Sequence, residues 1–178
     1  LDQFEGIQLG VSRESLERRF TFYRKNTRGM VPEIYEARDA RGIERLTAYF
    51  YQNELREFVA VLPARVSTPD EWFRQLRVQY GEPDDWSQGE TTPEAAGVPG
   101  IEAGRYERFG LYRYFAWSDS EHRLEATIYF TSTDPVTCES VLVVRGRMRE
   151  PAGALLTVAP SEEAAPTNPP PETPHLFP

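Results

Sequence analysis

Cysteine, lysine and histidine are almost missing from this chain of 178 residues, and each shortage excludes a kind of chemistry. With Cys138 alone, no intrachain disulfide can form and no CxxC redox or metal motif exists. His122 and His175 are the only imidazoles, too few for the usual zinc ligand sets. No apolar run reaches the roughly 20 residues that a membrane-spanning helix requires. GxSxG and HExxH patterns are also missing, and no Lys with Ser or Thr follows Gly10 as a phosphate loop would require. The expectation is a noncatalytic chain without metal or cofactor. Nineteen of the twenty cations are Arg, Lys25 being the exception, which reads as codon composition rather than function. The first residue is Leu1 rather than Met, which fits an excised segment or a mature chain that has lost a targeting segment.

What is present in quantity is carboxylate, and it is unevenly placed. The net charge is -8, yet residues 1–81 and 105–149 each sum to +1. Residues 82–104 carry six carboxylates and residues 150–178 carry four, with no cation in either stretch. An acidic balance argues against nonspecific nucleic-acid binding, which needs a basic surface to neutralise phosphates. The apolar content suffices for one ordinary domain with a sizeable core.

Composition divides the chain into a globular part, 1–149, and a tail, 150–178. The tail holds eight prolines and ends NPPPETPHLFP, too little apolar surface to offset the entropy of ordering. Its PxxP spacings suit a polyproline helix, with Leu176 and Phe177 as apolar anchors. Residues 82–104, rich in acids and turn formers, read as a long acidic surface loop.

The remaining blocks follow one plan. Ser12 is an N-cap with Glu14 in the first turn, and Val11 and Leu16 occupy hydrophobic-staple positions. Thr68 and Glu71 form a capping box with Pro69 at the first helical position, and Gly81 closes that helix. After each cap come three alternating segments: 33–39, 46–51 and 55–62 in the first block, and 105–117, 124–131 and 137–144 in the second. This predicts an α+β fold of tandem helix-plus-three-strand units, pseudo-repeats 1–66 and 67–149, with helices packed on an antiparallel sheet.

The run Gly6-Ile7-x-Leu9-Gly10-Val11-Ser12-x-Glu14-x-Leu16 and the helix end Tyr80-Gly81-Glu82-Pro83-Asp84 resemble the small SmpA/BamE-type outer-membrane assembly lipoproteins. In shape, a tandem of such units is similar to β-lactamase inhibitory protein. The resemblance covers two short segments of about 15 residues each, and the sequence has no lipidated N-terminal Cys. It implies a protein-binding accessory subunit of a bacterial assembly in the periplasm or cell envelope, compatible with a membrane-associated complex; the cytoplasm is the alternative location.

Six aromatics and three arginines interleave in RYERFGLYRYFAWS, residues 105–118. Alternation puts Phe115 and Trp117 on one side and Tyr112 and Tyr114 on the other, the side expected to be exposed. Tyr106, Tyr112, Arg113 and Tyr114 are therefore candidate partner-binding residues, together with Leu176 and Phe177 of the tail. The bland reading is a strand with one core face and tyrosine hydroxyls at the rim. Arg18, Arg19, Arg24, Lys25 and Arg28 form a basic run that the acidic loop 82–104 could cover, and His122 sits in a polar turn where exposure is the default. The residues thus predict a protein-interaction or scaffold subunit, with a small-ligand or glycan-binding module using strand 105–117 as the alternative.

Overall fold

The computed structural model describes residues 1–98, 101 and 104–150. The elements run β1 (Gln3–Phe4), β2 (Ile7–Gln8), α1 (Arg13–Glu17), β3 (Tyr23–Arg24), β4 (Glu33–Ala40), β5 (Ile43–Tyr51), β6 (Glu54–Val61) and β7 (Arg65–Val66). They continue through α2 (Pro69–Tyr80), β8 (Asp85–Glu90), β9 (Leu111–Ser118), β10 (His122–Phe130) and β11 (Glu139–Met148). Strands β3 to β6 form one antiparallel meander and β8 to β11 another. The two meet where β6 pairs with β11, giving the order β3-β4-β5-β6-β11-β10-β9-β8. β7 pairs with the start of β11, and β1 and β2 form a separate hairpin.

The α+β expectation is overturned: of the described residues 46% are strand and 12% helix, so this is a β-rich fold. The N-caps are where the sequence puts them, with Ser12 Oγ accepting from the Ser15 amide and the Thr68–Glu71 box complete. Capping alone does not make a long helix, because nucleation is costly and each added residue must favour propagation. After Glu17 the chain reads Arg-Arg-Phe-Thr-Phe-Tyr, whose β-branched and aromatic residues favour extended backbone. α1 therefore stops after five residues, and only α2, with twelve, reaches ordinary length. Each meander also has four strands rather than three, since β8 forms inside the stretch expected to be loop and β3 precedes the first predicted strand. The first predicted segment of the second block, 105–117, loses its first half: residues 105–108 are turn, 109 and 110 are irregular, and β9 begins at Leu111. The proline-rich segment, Leu176 and Phe177 lie outside the described residues.

The main core fills one face of the sheet. The β1–β2 hairpin and α1 region cover the first meander with Phe4, Ile7, Leu9, Leu16 and Phe20, all buried. Over the second meander lies α2, whose Trp72 and Leu76 are buried and whose Phe73 stacks on Phe115 with centroids 4.3 Å apart. Trp72 Nε1 donates to Ser140 Oγ at 2.8 Å, and that hydroxyl donates to the Ser67 carbonyl at 2.8 Å. The polar atoms of a buried Trp–Ser pair are thus satisfied, as burial demands. Gly81, at φ 83°, ends α2 and offers its carbonyl to Trp117 Nε1 at 3.0 Å. No helix among the described residues is long and apolar enough to cross a membrane.

Among the described residues the basic run does not meet the acidic stretch. Its Arg24 and Lys25 lie at β3, one edge of the sheet, while β8 forms the opposite edge. Instead Arg24 and Lys25 pair with Glu33 and Glu36 of the neighbouring β4, and Arg19 donates to the Gly6 carbonyl.

Candidate functional site

Alternation along the strands turns every second side chain away from the main core, onto a second face. That face has two unlike halves. In one, Val59, Val61, Tyr129, Val141 and Val143 make a smaller apolar cluster that Tyr106 and Phe109 close, with Val98 and Ile101 packed against it. Residues 92–96 are braced locally: the Ala95 amide donates to Thr92 Oγ1 at 3.2 Å, the Ala96 amide to the Thr92 carbonyl at 3.0 Å, and Pro93 is buried.

The other half is polar and open, with the side chains of Arg38, Arg145 and Arg147 47%, 43% and 41% exposed. Three carboxylates organise it. Glu36 on β4, only 3% exposed, accepts from Tyr23 Oη and from Arg38 Nε, with Lys25 Nζ at 3.6 Å and Arg45 Nε at 3.8 Å. Glu57 on β6 takes Nε and Nη2 of Arg145 on β11, at 2.8 and 2.7 Å. Glu125 on β10 accepts from Arg123 Nε at 3.0 Å and Tyr114 Oη at 2.8 Å, and Arg147 Nη2 lies 3.5 Å away. Arg123 also donates to Tyr114 Oη at 3.0 Å, so the tyrosine both gives and receives.

Among the described residues, Arg123, Arg145 and Arg147 stand against Glu57 and Glu125, a surplus of +1, while Lys25, Arg38 and Arg45 gather on Glu36, Arg38 and Arg45 having further partners as well. Burial pushes the carboxyl of Glu36 up, but hydrogen bonds from Tyr23 and Arg38 and the charges of Arg45 and Lys25 outweigh it and leave the group below the usual range. Glu125 balances the same way: burial raises it, while Arg123, Tyr114 and Arg147 bring it down. Both stay ionised at neutral pH, and the arginines they hold are fixed in orientation.

At the boundary of the halves lies a pocket of about 540 Å³. Val59, Val143 and Thr127 line it beside Tyr112, Tyr114 and Tyr129, with Arg145 and Glu125 among the polar lining and residues 96–98 on the opposite wall. Burial, with Tyr112 and Glu94 nearby, pushes the Tyr129 hydroxyl up to about 12, so it remains a neutral hydroxyl.

Of the residues singled out from sequence, the structure brings Tyr112 and Tyr114 together on this face. Tyr106 is 3% exposed and donates to Glu44 Oε1 at 2.7 Å, which ties the turn at residues 104–108 to β5. Arg113 points to the opposite face, where it pairs with Asp70 of α2. The charged partners escaped sequence reading, although Arg123-x-Glu125 and Arg145-x-Arg147 carry a legible signal: ionic residues at strand period two beside apolar neighbours. Among the described residues no three His, Cys, Asp or Glu side chains converge to hold a metal ion. His122 Nδ1 contacts Asp119 Oδ1 within its own turn, at 3.2 Å, and Cys138 is buried.

Fold and face together define an antiparallel β-sheet protein with one sealed face and one face half open and charged. No protein-family model matches the chain, and neither a curated protein nor a solved structure proves significantly similar to it.

Proposed function

We propose that the chain is a noncatalytic protein-binding module, a subunit of a larger assembly, that recognises its partner through the open half of the second sheet face. The observation that carries this reading is the field of tyrosines and hydrogen-bonded arginines in which, among the described residues, Arg123, Arg145 and Arg147 outnumber Glu57 and Glu125. Arg and Tyr are the side chains on which interface binding energy concentrates, and groups already fixed by partners lose little entropy on docking. The positive surplus favours a partner with an acidic surface and makes association salt-sensitive. The test is capture from an extract of the source cells by immobilised chain, comparing the natural protein, Arg147→Glu, and Val78→Glu on the outer side of α2. A protein retained by the natural chain and by Val78→Glu but lost with Arg147→Glu supports the reading; equal retention by all three overturns it. A chain ending at Glu150 measures what the proline-rich segment adds.

The pocket supports a second reading, a small-ligand or glycan-binding module, because its volume falls within the range of ligand sites and three tyrosines line it. A thermal-shift screen with mono- and disaccharides tests it. A shift abolished by Val143→Trp, which fills the pocket, supports this reading, and a flat response across the panel removes it.

A further inference from the structure

β8 ends the sheet, and no described strand pairs with its outer side. Its backbone orientation follows from the register. The Thr91 amide donates to the Gly110 carbonyl at 2.9 Å, and that pair continues the Glu90↔Leu111 register one step. Inward-bonded residues alternate in an antiparallel ladder, so Asp85, Ser87 and Gly89 address β9 while Trp86, Gln88 and Glu90 turn their N–H and C=O groups outward. On such an edge the Trp86 side chain is 63% exposed. It borders a groove of about 560 Å³ that Pro83, Phe73 and Phe115 also line.

An exposed strand edge beside an exposed indole is a template for strand pairing, and charge decides what pairs with it. Between Glu82 and Glu90 the chain has four carboxylates and no cation. The arginines bordering this region, Arg77 and Arg113, are each engaged by a carboxylate of their own, Glu82 and Asp70. A second copy of the edge, laid antiparallel, would bring Asp85 toward Glu90 of its twin, and like charges facing across strands repel. An acidic segment is disfavoured in the same way, whereas a basic one is attracted along the whole edge.

We propose that β8 receives an extended, basic segment of another protein, which pairs with the outward groups of Trp86, Gln88 and Glu90 and seats an apolar side chain in the Trp86–Phe73–Phe115 groove. This surface is independent of the charged sheet face. Main-chain bonds supply affinity, the groove selects one alternate side chain, and the carboxylates select Arg or Lys on the others.

The probe is a decapeptide of alternating Val and Arg, with a Val/Glu decapeptide as control, read by amide hydrogen exchange and by Trp86 emission. With the Arg peptide bound, the Trp86, Gln88 and Glu90 amides gain protection, while those of Ser87 and Gly89, already bonded to β9, change little. Gln88→Pro removes an outward N–H without touching the β9 ladder and weakens binding at least about tenfold, with an unchanged circular dichroism spectrum. Trp86→Ala, a substitution at an exposed side chain, does the same through the groove. Equal binding of the Arg and Glu peptides, absence of binding by the Arg peptide, protection that ignores the alternation, or undiminished affinity in both variants overturns the proposal.

Discussion

Gly146 offers a sharp test of how the two meanders are joined. It lies on β11 directly opposite Phe58 of β6, at the seam between them. A Cβ built there would sit 2.3 Å from Phe58 Cε1 and 2.5 Å from Cζ. Carbon atoms in contact prefer roughly 3.5–4.0 Å, so the ring must retreat by more than about 1 Å. It has nowhere to go, because Phe58 is fully buried among side chains packed at the density of an organic crystal. Overpacking of this kind costs about 1–3 kcal/mol, and the depth of this overlap puts Gly146→Ala near 3 kcal/mol. For a folded unit of this size, about 3 kcal/mol lowers Tm by roughly 6–12 °C. Urea denaturation should show a lower midpoint at unchanged slope.

A double-mutant cycle separates steric overlap from other effects of the methyl group. Phe58→Leu alone leaves a cavity and destabilises, but in the Gly146→Ala background it vacates the overlapped space. The two substitutions should therefore couple favourably, by about 1–3 kcal/mol. A loss of Tm below about 2 °C for Gly146→Ala, or additive effects in the double variant, would refute the reasoning.

Removing the Thr68 cap by Thr68→Ala should cost about 1 kcal/mol in denaturant unfolding without altering peptide binding at β8, and no loss would mean the box is redundant. Trp72→Phe leaves Ser140 Oγ with one acceptor site unused in the core and should cost about 1–3 kcal/mol beyond the volume change; a double-mutant cycle with Ser140→Ala, which also frees the Ser67 carbonyl, should show non-additive effects, and additivity would show that the Trp72–Ser140 bond contributes nothing. Glu36 and Glu125 have folded pKa values below the unfolded carboxylate value, so the stability they add is complete above that value and is lost as pH falls through the folded one. Tm should hold from neutrality to about pH 5 and fall below it, and Glu125→Gln should flatten the decline; an unaltered slope would show that its ion network contributes nothing.

Local chemistry was legible in this sequence to the extent that it is local. Ser12 and Thr68 announce helix starts because a hydroxyl three residues from a free amide acts without reference to the rest of the chain. Helix length is different: it depends on whether Phe20, Phe22 and Tyr23 gain more by staying helical or by joining a sheet, and partners distant in sequence decide that. Strand β8 illustrates the converse. Asp85–Glu90 has little apolar periodicity and becomes a strand because β9 offers a ladder to pair with. The candidate face was half legible. Tyr112 and Tyr114 follow from alternation on one strand, but Glu125, Arg147, Glu57 and Arg145 meet only across two strand pairings that no local window contains.

The charged face also explains why its carboxylates should not be the first residues probed for binding. Arginines crowded on a half-buried sheet repel one another, and each carboxylate offsets that repulsion while fixing the fork of the guanidinium it binds. Removing Glu36 or Glu125 would disturb several cations at once, so stability and recognition would change together and a loss of binding could not be assigned to recognition. Arg147 is different: it lies at the margin of the Glu125 network, 3.5 Å from the carboxylate, which Arg123 and Tyr114 continue to satisfy when it is gone. Its reversal to Glu changes the field that a partner meets and leaves the hydrogen bonds of the framework in place. The same reasoning gives meaning to the position of the acids on the chain. Asp84 and Asp85 sit at the β8 edge rather than over the cationic half of the sheet, so among the described residues these two surfaces carry opposite signs, and on the readings proposed above they would select partner segments of opposite charge.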